Sequence, residues 1–274
     1  WLKTQGFEVD YAPVDARGFV KVDALASLLR PDTTLVSVMA VNNEIGSIQP
    51  IHDIAALLED RPTISFHVDA VQALAKVATE VYLPERVDFA TFSSHKFHGL
   101  RGVGFVYIKG GKKITPLLTG GGQEKEMRST TENVAGIAAT AKALRLAMEN
   151  QVAFASKTQQ MKEVIRKELA NYPDVTIFSG EDHFAPHILT FGIKGVRGEV
   201  VVHAFEEFDI YISTTSACSS KAGKPAGTLI AMGVDKSIAQ TAVRLSLDLE
   251  NDMSQVEQFL TKFKLIYEQT RKVR

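Results

Sequence analysis

The chain has 274 residues, 45% of them hydrophobic and 23% charged, the composition of an ordinary globular protein with room for one large or two medium domains. A net charge of −1 offers no bulk field for direct nucleic-acid binding or for a membrane surface, and no apolar run approaches the length of a bilayer. Cys218 is the only cysteine, which excludes an internal disulfide and fits a reducing, cytoplasmic setting; the seven histidines show no ligand spacing, so no metal site is expected.

Trp1 to Gly6 reads as the end of a helix with a glycine stop, and no initiator methionine precedes it, so the chain is expected to lack its beginning. Phe7 to Ala12 alternates like a strand. Asp23 is the expected N-cap of a helix reaching Leu29. Thr34 to Ala40 is a buried strand that runs into the polar loop Val41-Asn-Asn-Glu-Ile-Gly46. A helix from Ile51 to Glu59 leads to the strand Ile64–Val68, which ends in Asp69-Ala-Val-Gln72. The apolar run Val87–Phe92 is the next strand, and it ends in Ser93-Ser-His-Lys-Phe-His-Gly99. Gly102–Ile108 is expected to pair antiparallel with it, because only a short loop separates the two.

A Gly-rich loop at 119–123 and Met127-Arg-Ser-Thr-Thr131 precede a long helix from about Glu132 to Asn150. An amphipathic helix follows, from about Phe154 to Tyr172. Beyond it lie strand candidates at 175–178, 187–191, 210–212 and 243–247, and helices near 199–208, 228–232 and 253–270. The first half alternates strand and helix, as in a parallel sheet covered by helices; the second half groups them as α+β. The expected fold is therefore α/β with a smaller α+β C-terminal domain: residues 1–150 form a large domain and 151–274 a small one.

Three strand ends carry polar groups: Asn43; Asp69 with Gln72; and Ser93, His95 and Lys96. In a parallel sheet such ends share one edge, where ligands bind. Each alone has a plainer reading. Asn43 could close a turn, Asp69 could cap a helix, and His95 could be a structural histidine. As a set they suit pyridoxal phosphate: a lysine for its aldehyde, a carboxylate for its pyridinium nitrogen, and hydroxyl and imidazole donors for its phosphate.

The motifs VNNEIG at 41–46, HVDAVQ at 67–72, SSHKFHG at 93–99, GGGQE at 120–124, RSTT at 128–131, SAC at 216–218 and VRLSL at 243–247 resemble, in order, those of cysteine desulfurases in the class V aminotransferase family of fold-type I pyridoxal phosphate enzymes. The resemblance covers essentially the whole chain. It implies Lys96 as the Schiff-base lysine, Asp69 as partner of the ring nitrogen, and Gln72 and Asn43 at the phenolic oxygen. It also implies Ser93 and His95 at the phosphate, and Thr131 reaching the phosphate of a second subunit in a homodimer. The alternative for Thr131 is an N-cap of the helix at Glu132. Arg244, with Asn43, is implied for the α-carboxylate of L-cysteine.

Cys218 sits in Thr214–Pro225, a small, polar, aperiodic stretch expected to be an exposed, mobile loop, with Lys221 and Lys224 favouring the thiolate. Its SAC motif resembles the desulfurases that pass a persulfide sulfur to iron–sulfur assembly and tRNA thiolation partners. The family's phosphate-binding glycine–threonine loop and its ring-stacking histidine are not found in the chain, and Leu100-Arg101 stands where Pro-Lys is commoner. The competing readings are another class V aminotransferase, a selenocysteine lyase, and an inert fragment.

Overall fold

The computed structural model describes residues 1–215 and 227–273. A 3-10 turn, Leu2–Gln5, ends at Gly6 in the left-handed conformation, φ 86°, as the glycine stop predicts. The elements that follow are α1 (Val22–Leu28), β1 (Leu35–Met39), α2 (Ile51–Leu57), β2 (Ser65–Asp69), α3 (Thr79–Tyr82), β3 (Phe89–Ser93) and β4 (Gly104–Ile108). A second 3-10 turn, Ser94–Phe97, lies between the last two strands. Then come α4 (Val134–Glu149), α5 (Gln151–Leu169), β5 (Val175–Ile177), β6 (Ile188–Ile193), α6 (Gly198–Glu206), β7 (Ser213–Thr214), α7 (Gly227–Ala231), α8 (Lys236–Ala239), β8 (Ala242–Ser246) and α9 (Met253–Val273). Among the described residues no helix is long and apolar enough to cross a membrane.

The chain divides into two compact units. One comprises 32–40 and 51–151; the other comprises 1–31, 41–50 and 152–274. The first contains the sheet β1-β2-β3-β4, in which β1, β2 and β3 run parallel and β4 antiparallel to β3. Alternation along the strands sorts its faces. Val36, Phe66, Val68, Ala90 and Phe92 are buried on one face. Ser37, His67, Asp69, Thr91 and Ser93 occupy the other, in register Ser37↔His67 and Asp69↔Thr91.

Asp88 pins the start of β3. Its carboxylate accepts the Phe66 N–H at 2.9 Å and is paired with Arg86 at 2.8 Å and Lys112 at 3.2 Å. Burial alone would raise its carboxyl; the hydrogen bonds and the two cations outweigh burial and hold it below the usual value. A depressed folded value means stability that is present above the unfolded value of about 3.9 and is lost as pH falls through the folded one. Asp88→Ala leaves Arg86 largely buried without its anion, so urea unfolding at neutral pH should show a loss of about 3–5 kcal/mol. A change below 1 kcal/mol would remove Asp88 from this role.

The second unit holds the antiparallel sheet β5-β6-β8-β7. Leu189, Phe191 and Ile193 of β6 and Val243 and Leu245 of β8 pack into one core with Met161 and Ile165 of α5, Phe205 of α6, and Phe259 and Phe263 of α9. The residues between them, Thr190 and Arg244, are directly opposite each other on the reverse face. The α/β sheet with a separate α+β layer is the fold class read from the sequence.

Several local expectations shift. Residues 7–12 form no ladder. Their acidic positions pair with Arg30 instead, Glu8 at 2.9 Å and Asp10 at 2.6 Å, and the nearest bridge is Val14↔Val20. Asp23 lies in the first turn of α1, whose N-cap is Lys21. The strand expected at 210–212 falls at β7. α4 starts two residues later than read, because the Asn133 side chain captures the Gly136 N–H at 3.0 Å; Asn133, not Thr131, is its N-cap.

Candidate active site

Two groups of candidate residues emerge, one in each unit. In the first, β2 and β3 are adjacent and parallel, so Asp69 at the end of β2 and the Ser93–Lys96 stretch at the end of β3 reach the same sheet edge. The Asp69 carboxylate is half-buried and accepts the Val71 N–H at 3.0 Å, which orients it. Gln72 is buried three residues beyond. Ser93 ends β3 and Lys96 lies half-buried in the 3-10 turn, while His95 is exposed.

That turn is held firmly. Ser94 is fully buried, and its hydroxyl meets that of Thr140 on α4 at 2.9 Å. Phe97 is buried, His98 adopts φ 66°, and the Gly99 N–H donates to the Ser94 carbonyl at 2.9 Å. A Cβ on Gly99 would lie 1.8 Å from the Ser94 hydroxyl oxygen. The glycine of the motif is therefore required by the packing that fixes the turn carrying Lys96.

Sequence reading passed over His67. It lies two residues before Asp69, hence on the same face, and its ring nitrogens meet the Ser37 hydroxyl at 2.7 Å and the Thr91 hydroxyl at 3.1 Å. Burial lowers its pKa, and the Asp69 carboxylate acts in the opposite sense. The signal was available in the two-residue period of β2.

The second group centres on Arg244. Its neighbours Val243 and Leu245 enter the helical core, so strand alternation places the guanidinium on the reverse face. There it donates to the Asn43 carbonyl at 2.8 Å. The two residues assigned to one task by sequence are thus brought together, through the Asn43 backbone. The 41–48 turn is itself tied down: the Asn42 side chain accepts the Glu44 and Ile45 N–H groups, and the Ser179 hydroxyl donates to the Ile45 carbonyl at 2.7 Å. Glu44, overlooked in the sequence, accepts the Thr228 N–H at 3.2 Å, and burial raises its carboxyl above the usual value.

Thr131 is exposed on the approach to α4. Cys218, with Lys221 and Lys224, lies outside the described residues; the chain is described up to Thr215, just past β7, and again from α7.

The family model for class-V aminotransferases matches residues 1–259. The chain belongs to the class-V aminotransferase family. It is 50% identical over 273 residues to a NifS/IcsS protein homolog of Lactobacillus delbrueckii subsp. bulgaricus, covering 99% of this chain and 71% of that one. It is 38% identical over 276 residues to the cysteine desulfurase IscS of Clostridium botulinum, covering 100% and 69%. A solved NifS-like protein superposes with a TM-score of 0.88 at 38% identity, over 98% of this chain and 70% of that one. The class-V match runs through both compact units, so the Asp69–Lys96 edge and the Arg244 cluster fall within one family domain.

Proposed function

We propose that the protein is a pyridoxal-phosphate-dependent cysteine desulfurase, converting L-cysteine to L-alanine and leaving the sulfur as a persulfide on Cys218. The observation that carries this reading is the pairing of Asp69 and Lys96 at the carboxyl ends of adjacent parallel strands. The desulfurase relatives support it. The donor set fits the cofactor: an oriented carboxylate suits a protonated ring nitrogen, an amine suits an aldehyde, and hydroxyl and imidazole groups suit a phosphate.

In this reading Lys96 holds the cofactor's aldehyde carbon, Asp69 its ring nitrogen, Gln72 and Asn43 its phenolic oxygen, and Ser93 and His95 its phosphate. Thr131 reaches the phosphate of the other subunit in a homodimer. When bound, the cofactor would supply an electron sink that makes loss of the substrate's α-proton feasible. Lys96 would carry that proton at Nζ. Arg244 holds the substrate carboxylate through its two-pronged guanidinium. The Cys218 thiolate attacks the substrate sulfur; the S–S bond forms as the carbon–sulfur bond breaks, and the electron pair stays with the carbon that leaves in alanine.

Residues 1–150 then act as the cofactor-binding domain and 151–274 as the domain carrying the sulfur-accepting cysteine. A lone thiol of this kind suits a cytoplasmic protein that hands sulfur to an iron–sulfur scaffold or a tRNA thiolation enzyme. The test is to supply L-cysteine and a reductant with pyridoxal phosphate and measure products. Equimolar alanine and sulfide are expected; keto-acid-dependent transamination without sulfide would overturn the reading.

A further inference from the structure

A cleft of about 510 Å³ lies within the second unit, and no described residue assigned to the chemistry above lines it. Its walls are apolar: Ile177 and Phe178 from the end of β5, Phe184, and Met232, Val234 and Ile238 between α7 and β8. Arg17 and Asp235 are the charged residues on its lining. Asp235 is already engaged, since it caps α8 and accepts the Ser237 N–H at 2.8 Å.

Arg17 is held in place by its surroundings. The Asp15 carboxylate accepts the N–H groups of Arg17 and Phe19, each at 2.9 Å, which fixes the turn between them. Gly18 adopts φ 80°, and a Cβ there would lie 2.5 Å from the Ile45 side chain, so the turn presses directly on the core. The guanidinium carbon lies 5.0 Å from the Phe19 ring centroid and 5.8 Å from that of Phe184. One Nη donates to the Asp182 carbonyl at 2.8 Å. Among the described residues no carboxylate pairs with this guanidinium, and its other N–H donors are not engaged.

We propose that this cleft is a binding site for a small monocarboxylate with an apolar tail. The carboxylate docks on the Arg17 guanidinium, and the tail lies against Phe184, Met232 and Ile238. Apolar walls with one placed cation are the makeup of a small-molecule site. The planar guanidinium matches the two oxygens of a carboxylate. Because the turn and its aromatic supports already hold Arg17, little side-chain freedom is lost on binding. A zwitterion such as L-cysteine fits poorly, since its body is too polar for the apolar wall. The site is therefore separate from the Lys96 edge and does not depend on the desulfurase reading.

The experiment uses the whole chain labelled with carbon-13 at its methionine methyl groups, the Met232 signal being assigned by its loss in Met232→Leu. Sodium octanoate is titrated beside octanol, which has the same tail and no charge. Octanoate should move the Met232 signal to saturation and bind at least about tenfold more tightly than octanol, the worth of a hydrogen bond to a charged group. Arg17→Gln should bring the two ligands to equal affinity. Arg17→Lys, which keeps the charge and loses the fork, should fall between. The comparison of the two ligands on the wild type needs no variant, so it decides the matter even where Arg17→Gln fails to fold. Octanoate that leaves Met232 unmoved, binds no better than octanol, or binds Arg17→Gln as well as wild type overturns the proposal. So does an equal shift produced by L-cysteine.

Discussion

Cys218→Ser should abolish persulfide formation while leaving the absorbance of the Lys96-bound cofactor intact. A serine hydroxyl is far less nucleophilic than a thiolate at neutral pH, so sulfur transfer loses its acceptor while cofactor binding keeps all its groups. Among the described residues the Lys96 turn is held by Ser94, Thr140, Phe97 and Gly99. The measurement is mass spectrometry of residue 218 after one turnover, together with the cofactor spectrum. Normal sulfide release by the serine variant would sink the assignment of Cys218.

Lys96→Ala should cost more, because in the proposed mechanism it removes both the covalent tether and the proton carrier. The proton role alone is worth about 100- to 10,000-fold in rate. The buried members of the turn, Ser94 and Phe97, are unchanged in the variant, so it should stay folded. Loss of the Lys96-linked absorbance together with loss of alanine production is the expected pair of results. A variant that retains turnover within tenfold of wild type would show that another amine does the work.

What could be read from the sequence follows from the range over which each signal acts. The ends of β2 and β3 were legible because apolar residues recur along both, Phe66 and Val68, Ala90 and Phe92, and the chain turns polar where they stop, at Asp69 and at Ser93 to Lys96. Gly6 marked a helix end through its backbone alone. The strand proposed at 7–12 failed because alternation records what a neighbour would bury, and Glu8 and Asp10 answer to Arg30 instead. Thr131 and Asn133 are both competent caps, and the choice between them turned on one hydrogen bond to Gly136. Glu44 stayed hidden for a different reason. Its partner Thr228 lies 184 residues away, and no local pattern encodes a partner at that distance.

The turn at 41–50 is coded between β1 and α2 of one unit but belongs to the other. It bridges to Phe184 through Ser47, buries Ile45 with Phe178 and Ala242, and accepts Arg244 at Asn43. During synthesis this decapeptide emerges early and must wait for its partners. Arg244 follows Asn43 by 201 residues, so at about 5–20 residues per second the turn stays unpartnered for roughly 10–40 s. The Arg244 cluster is therefore among the last parts of the chain to be completed on the ribosome, long after the strands that present Asp69 and Lys96 have been made.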